Sequence, residues 1–177
     1  MSILELLGFR QGGPRVGVGD TETVRKIVAE LDSLPPETAR YLAAFAFTLA
    51  RVANADLDIS LEETARMEQI LQALGNLSAE EARLAVDLAK TQHQLAGGTE
   101  SFLVTRELRE IATREQCREL LDCLFAVSAA DDSISGVEEA QIRQIASELG
   151  FSPSELSAVR AAWAGKREIL KGFGNRV

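Results

Sequence analysis

An all-α fold, a compact bundle of about seven to nine helices built from two pseudo-symmetric repeats, is predicted by three observations. Apolar positions recur at threes and fours along the whole chain, and no stretch alternates as a strand would. A Ser or Thr followed three residues later by Glu or Gln, the signature of a capped helix start, occurs at Ser60/Glu63, Ser78/Glu81, Thr113/Gln116, Ser135/Glu138 and Ser152/Glu155. The chain also repeats itself: at an offset of 75, positions 55–75 match positions 130–150 at ten of 21 places. Ordinary composition would give roughly one or two such matches.

The elements follow in order. Residues 1–20 contain Gln11-Gly12-Gly13-Pro14 and Gly17-Val18-Gly19, too rich in Gly and Pro for regular structure, and are expected to be mobile or loosely packed. Asp20 is a cap for a helix through about Leu31. Pro35-Pro36 opens the next helix, to about Ala53, because proline in a first turn lacks only a donor that would go unused. The acidic turn Ala55-Asp56-Leu57-Asp58-Ile59 leads to the capped helix that ends at Gly75, and a further helix starts at Ser78. A polar tract from Thr91 to Ser101, with Gly97-Gly98, separates the repeats, and a helix over about Phe102 to Ala112 follows it.

The second repeat opens with a helix from Arg114 to Ala130, passes through Ala130-Asp131-Asp132-Ser133-Ile134, and continues as a capped helix ending at Gly150 and another from Ser152. Gly75 and Gly150 stand where a left-handed residue commonly closes a helix. Met67, Ile70, Leu71 and Leu74 correspond to Ile142, Ile145, Ala146 and Leu149, one buried face in each copy. The repeats, about 35–95 and 113–165, are read as a single domain over 21–165, since neither has helices enough to enclose its own apolar face. Residues 166–177, with Lys166, Arg167, Lys171 and Arg176, form a basic tail whose cations suit a helix C-terminus or an anionic surface.

Composition excludes several function classes. A net charge of -8 repels phosphate backbones, so no nucleic acid is expected as a partner. Leu42 to Ala50, the most apolar stretch, falls far short of the roughly 20 residues a bilayer needs, so no transmembrane segment is expected. Cys117 and Cys123 lie on different faces of one helix, about 9 Å apart along its axis, too far for an unstrained disulfide. Free thiols and an opening with no basic leader lead to an expectation of a cytoplasmic protein. No catalytic residue is expected: His93 stands alone near a helix end, the two cysteines suit a core, and Gly17 with Gly19 lacks the strand and Lys-Ser or Lys-Thr of a phosphate loop.

The acidic turns are the candidate metal site. Asp56, Asp58 and Glu63 gather at one helix start, and Asp131, Asp132 and Glu138 at the other, the oxygen-rich donor set that calcium or magnesium prefers. Leu61 and Met67 stand where a helix-loop-helix calcium loop needs glycine and a bidentate Glu, which excludes that motif. Capping accounts for Glu63 and Glu138 with no ion, and an Asx-turn would account for Asp56 and Asp131.

The pattern Ala-Asp-x-x-Ile-Ser-x-x-Glu, carried by Asp56, Ile59, Ser60, Glu63 and again by Asp131, Ile134, Ser135, Glu138, resembles the turn of the TerB-like family of bacterial tellurite-resistance proteins. The resemblance spans roughly Pro35 to Gly165, with Leu57 and Asp132 where the family often has glycine. It implies an all-helical duplicated fold, acidic residues proposed to hold a divalent metal, and a binding or scaffolding role in a stress response. It also implies other proteins as partners, in complexes peripheral to the inner face of the membrane, with a homodimer as a further expectation. The His-Pro-Asp signature of J-domain co-chaperones is missing.

Overall fold

The computed structural model describes residues 26–53, 60–95, 101–129 and 134–173, with side chains over 26–53, 60–91, 103–129 and 134–163. Eight helices make up the described residues, and no strand is among them. α1 covers 26–32, α2 Pro36–Ala53, α3 Leu61–Leu74, α4 Ala79–Leu95, α5 Ser101–Ile111, α6 Arg114–Ser128, α7 Gly136–Glu148 and α8 Pro153–Phe173. The fold class is the one the helical period predicts. The N-terminal segment 1–20 and the proposed cap Asp20 lie outside the described residues.

All five predicted capping boxes are formed. At Ser60, Ser78, Thr113, Ser135 and Ser152 the hydroxyl accepts from the amide three residues on, and that residue's side chain accepts from the cap's own amide. Pro36 is the first residue of α2, as its missing donor allows. The polar tract begins later than composition suggests, because α4 runs on to Leu95. The Thr91 hydroxyl turns back onto the Asp87 carbonyl at 2.9 Å, a bond that keeps a polar residue inside a helix. Basic residues from Lys166 onward continue α8 as far as Phe173.

The helix ends differ between the copies. Gly150 has φ +83° and closes α7, with the Phe151 amide donating to the Ala146 carbonyl at 2.8 Å. Gly75 has φ -90°, and the left-handed residue in the first copy is Asn76, at φ 53°. α3 is one residue longer than α7, 14 against 13, and each is followed by four connecting residues, so Asn76 takes the place of Gly150. Gly75 is glycine for want of space: a Cβ there would stand 2.7 Å from the Leu71 oxygen and 3.1 Å from Cys123 Sγ.

The repeats are interleaved rather than laid side by side. α2 and α6 pack against each other at the centre, each carrying its own repeat's third helix, α4 on α2 and α8 on α6. The second helices cross over: α3 packs on α6, and α7 packs on α2. A duplicated hairpin with too few helices to cover itself is completed by its twin. The core accordingly draws on both copies, with Ala43, Phe45 and Leu49 of α2 and Leu120, Cys123 and Leu124 of α6 all fully buried. Cys117 and Cys123 are buried thiols, as small core residues are. Trp163 stacks on Phe125 at 6.1 Å between centroids, joining α8 to α6.

Exposed ion pairs decorate this frame, and one end of it is clamped. Arg114 donates to the Gly150 carbonyl at 3.1 Å and to Glu155 at 2.6 Å, with its guanidinium 3.6 Å from the Phe151 ring centroid. The Ser152 amide, the Arg114 guanidinium and the Ser152 hydroxyl together pull the Glu155 carboxyl down to about 2. A carboxyl held low when folded adds stability above its unfolded pKa, and loses it as pH falls towards the folded value. Acid melting curves are therefore expected to show Glu155→Gln losing less stability than wild type between pH 4.5 and about 2. Parallel curves across that window would count against the clamp.

Candidate functional site

Each acidic turn joins a central helix to the helix that crosses to the other repeat: residues 54–60 run from α2 to α3, and 129–135 from α6 to α7. The turns end alike. Ser60 and Ser135 are extended, at φ -63°, ψ 163° and φ -68°, ψ 156°, which aims each hydroxyl at the opening turn of the helix it caps. The Ser60 amide donates to Glu63 Oε2 at 2.7 Å, and the Ser135 amide to Glu138 Oε2 at 2.8 Å. The amide of Ser60, followed by its hydroxyl, holds the Glu63 carboxyl below the usual carboxylate range.

The capping bonds use one oxygen of each glutamate. Among the described residues nothing donates to Glu63 Oε1 or Glu138 Oε1, so capping and cation binding, treated as rivals from sequence, are compatible at these two residues. The contrast is Glu155, whose second oxygen is taken by Arg114. Glu81 likewise has one oxygen to which no described residue donates, but the connection before it, Gly75-Asn76-Leu77-Ser78, carries no acid. Asp56, Asp58, Asp131 and Asp132 lie outside the described residues, as does Ile59, while Ile134 is half-buried against the core. Among the described residues no group of three or more His, Cys, Asp and Glu side chains is arranged to hold a metal ion.

A polar cluster that sequence reasoning missed lies at the end of α2. Arg51 donates to Glu148 Oε2 at 2.8 Å and Oε1 at 3.4 Å, the Thr105 hydroxyl donates to Oε2, and Gln144 Nε2 donates to Oε1 at 3.0 Å. The Arg51 and Glu148 side chains are only 14% and 8% exposed, and Thr105 is fully buried. Burial alone would raise the Glu148 carboxyl, but the bonds from Arg51 and Thr105 and the Arg51 charge outweigh it and hold it below its ordinary value. The available signal was a charged residue at an inward helical position: Glu148 stands between the buried Ile145 and Leu149.

Elsewhere several charged side chains pair with one another, among them Arg40 with Glu107 and Arg83 with Glu30 and Asp87. A hollow of about 170 Å³ floored by Phe125, Ile142 and Leu156 is rimmed by Glu139, which takes Arg160 at 2.7 Å and Arg143 at 3.5 Å. It assembles no nucleophile with a base. No helix among the described residues is long and apolar enough to cross a membrane.

The comparisons with known proteins agree with this architecture. The family model described as tellurite resistance protein TerB matches residues 41–161, which takes in α2 from Tyr41 on, the whole of α6, both acidic turns and the crossing helices. No curated protein and no solved structure matches the chain. TerB is not a known enzyme family. With a match over more than half its length, the chain belongs to the TerB family of tellurite resistance proteins.

Proposed function

We propose that the protein is a non-enzymatic binding and scaffolding module of a bacterial stress system of the tellurite-resistance kind, and that its duplicated turns take a divalent cation, calcium or magnesium. The observation that carries this reading is the shared state of Glu63 and Glu138. One oxygen of each is fixed by the cap, and the other takes no hydrogen bond from any described residue, at the end of a turn that carries two aspartates. Carboxylate oxygens of this kind suit hard cations, with Asp56, Asp58 and Glu63 supplying one set and Asp131, Asp132 and Glu138 the other. The bound cation would neutralise charge on the acidic turns and order them for a partner. Other proteins, in a cytoplasmic complex peripheral to the membrane, and a second copy of the chain are the partners proposed.

Calorimetry with calcium, magnesium, manganese and zinc tests the cation. Wild type is expected to release or absorb heat with at least one of them and to melt higher as its concentration rises, while an Asp56→Asn, Asp131→Asn variant does neither. Silence from all four with wild type would end the metal reading. A second reading, an interaction domain whose turns only cap helices, is favoured by the Ser78/Glu81 and Ser152/Glu155 boxes, which close in the same way with no acidic turn before them. It expects the same partner with and without chelator; capture that requires the cation would exclude it.

A further inference from the structure

The hollow between α6, α7 and α8 has an apolar floor, Phe125, Ile142 and Leu156, and a rim that is unbalanced in charge. Arg160 of α8 and Arg143 of α7 both turn to Oε1 of Glu139, so two guanidinium groups share one carboxylate. Among the described residues their remaining N–H groups have no acceptor. In a chain of net charge -8, an apolar recess with a cationic rim suits an aliphatic side chain carried beside a carboxylate. Its volume of about 170 Å³ exceeds the roughly 150 Å³ that holds a benzene ring in a protein interior, so a leucine side chain fits. The first repeat lacks these residues: at the offset of 75, Phe125 corresponds to Ala50, Glu139 to Thr64 and Arg143 to Glu68.

The chain itself carries a side chain of that description. Leu61, the first residue of α3, is 86% exposed, more than any other large apolar residue described. Glu62 and Glu63 follow it in the same turn, and no base comes before Arg66. The cap uses Ser60 and Glu63 and asks nothing of Leu61, whose counterpart in the second repeat is Gly136.

We propose that Leu61 of one copy seats in the hollow between α6, α7 and α8 of a second copy, with Glu62 set against Arg143 and Arg160. This contact rests on the self-association proposed above and gives it a surface. Leu61 belongs to the first repeat and the hollow to the second, so a twofold pair makes the contact twice and leaves neither hollow empty. Burial of the leucine supplies the affinity, and the charges at the rim fix which side chain enters.

Sedimentation of the full chain in EDTA, where no divalent cation takes part, tests the contact. Wild type is expected to pass from monomer to dimer as its concentration rises. Leu61→Ala is expected to weaken that association at least about tenfold, while the dilute monomer melts as wild type does. Arg160→Glu and Glu62→Arg are each expected to weaken it as far, and the two changes in one chain to restore it, because the reversed charges meet again across the interface. Dimers that form equally well in Leu61→Ala, or charge reversals that do not rescue each other, would overturn this contact and leave self-association standing. A wild type that stays monomeric would overturn both, while calorimetry still decides the cation.

Discussion

Glu148→Ala is expected to melt about 10 °C below wild type, a loss of about 3–5 kcal/mol, because it removes the buried carboxylate onto which Arg51, Thr105 and Gln144 all donate. Arg51 is only 14% exposed, so water cannot readily replace the carboxylate. The pair itself is a poor source of net stability, since desolvating two charges consumes most of their attraction. Replacing both partners should then cost less than removing one. Arg51→Met with Glu148→Leu is expected to recover at least about half of the single variant's loss, and Thr105→Val is added to measure what the hydroxyl contributes without the carboxylate. Thermal melts of the four proteins decide this. A double variant no more stable than Glu148→Ala would mean that the pair stabilises through attraction rather than through the penalty of being broken.

That cluster also marks where sequence reading stopped. The capping boxes were legible because their chemistry is local: a hydroxyl and a carboxylate three residues apart can satisfy two amides without help from the rest of the fold. The buried faces of α3 and α7 were legible because the helical period records them. Arg51 and Glu148 are 97 residues apart, and only the packing of α7 on α2 brings them together. Nothing in either residue's neighbourhood names the other. Crossing of the second helices was likewise hidden, because a repeat shows that two units share a pattern but not which unit each apolar face covers.

Gly75 shows a finer limit. Matching the copies at a constant offset pairs Gly75 with Gly150 and assigns both the same backbone role. α3 carries one residue more than α7, so the left-handed position falls on Asn76, which tolerates it. Gly75 answers first to the backbone of its own helix, the Leu71 oxygen, and then to the approach of α3 to Cys123 on α6. The acidic turns divide in the same way. Glu63 and Glu138 were placed by local capping, and the oxygen of each that takes no bond from a described residue could be read only once the hydrogen bonds were known.

Crossed packing predicts how the domain fails. Phe45 is fully buried on α2, 5.9 Å from the Tyr41 ring, and α2 touches helices of both repeats. Phe45→Ala is expected to cost about 3–5 kcal/mol, from lost burial and the cavity left behind. Against a domain stability of about 5–15 kcal/mol, that brings the chain near its limit. Were the repeats independent units, the second would survive the damage and melt later. Here α7 lies on α2 and α3 on α6, so loosening α2 uncovers apolar surface in the second repeat as directly as in the first. Phe45→Ala and its counterpart Leu120→Ala on α6 are therefore both expected to melt in one transition at a lowered temperature. Hydrogen exchange in α4 and α8 should accelerate together in each variant. A two-step melt, or fast exchange confined to the mutated repeat, would show that the copies hold themselves together separately and that the crossing helices contribute little to the core.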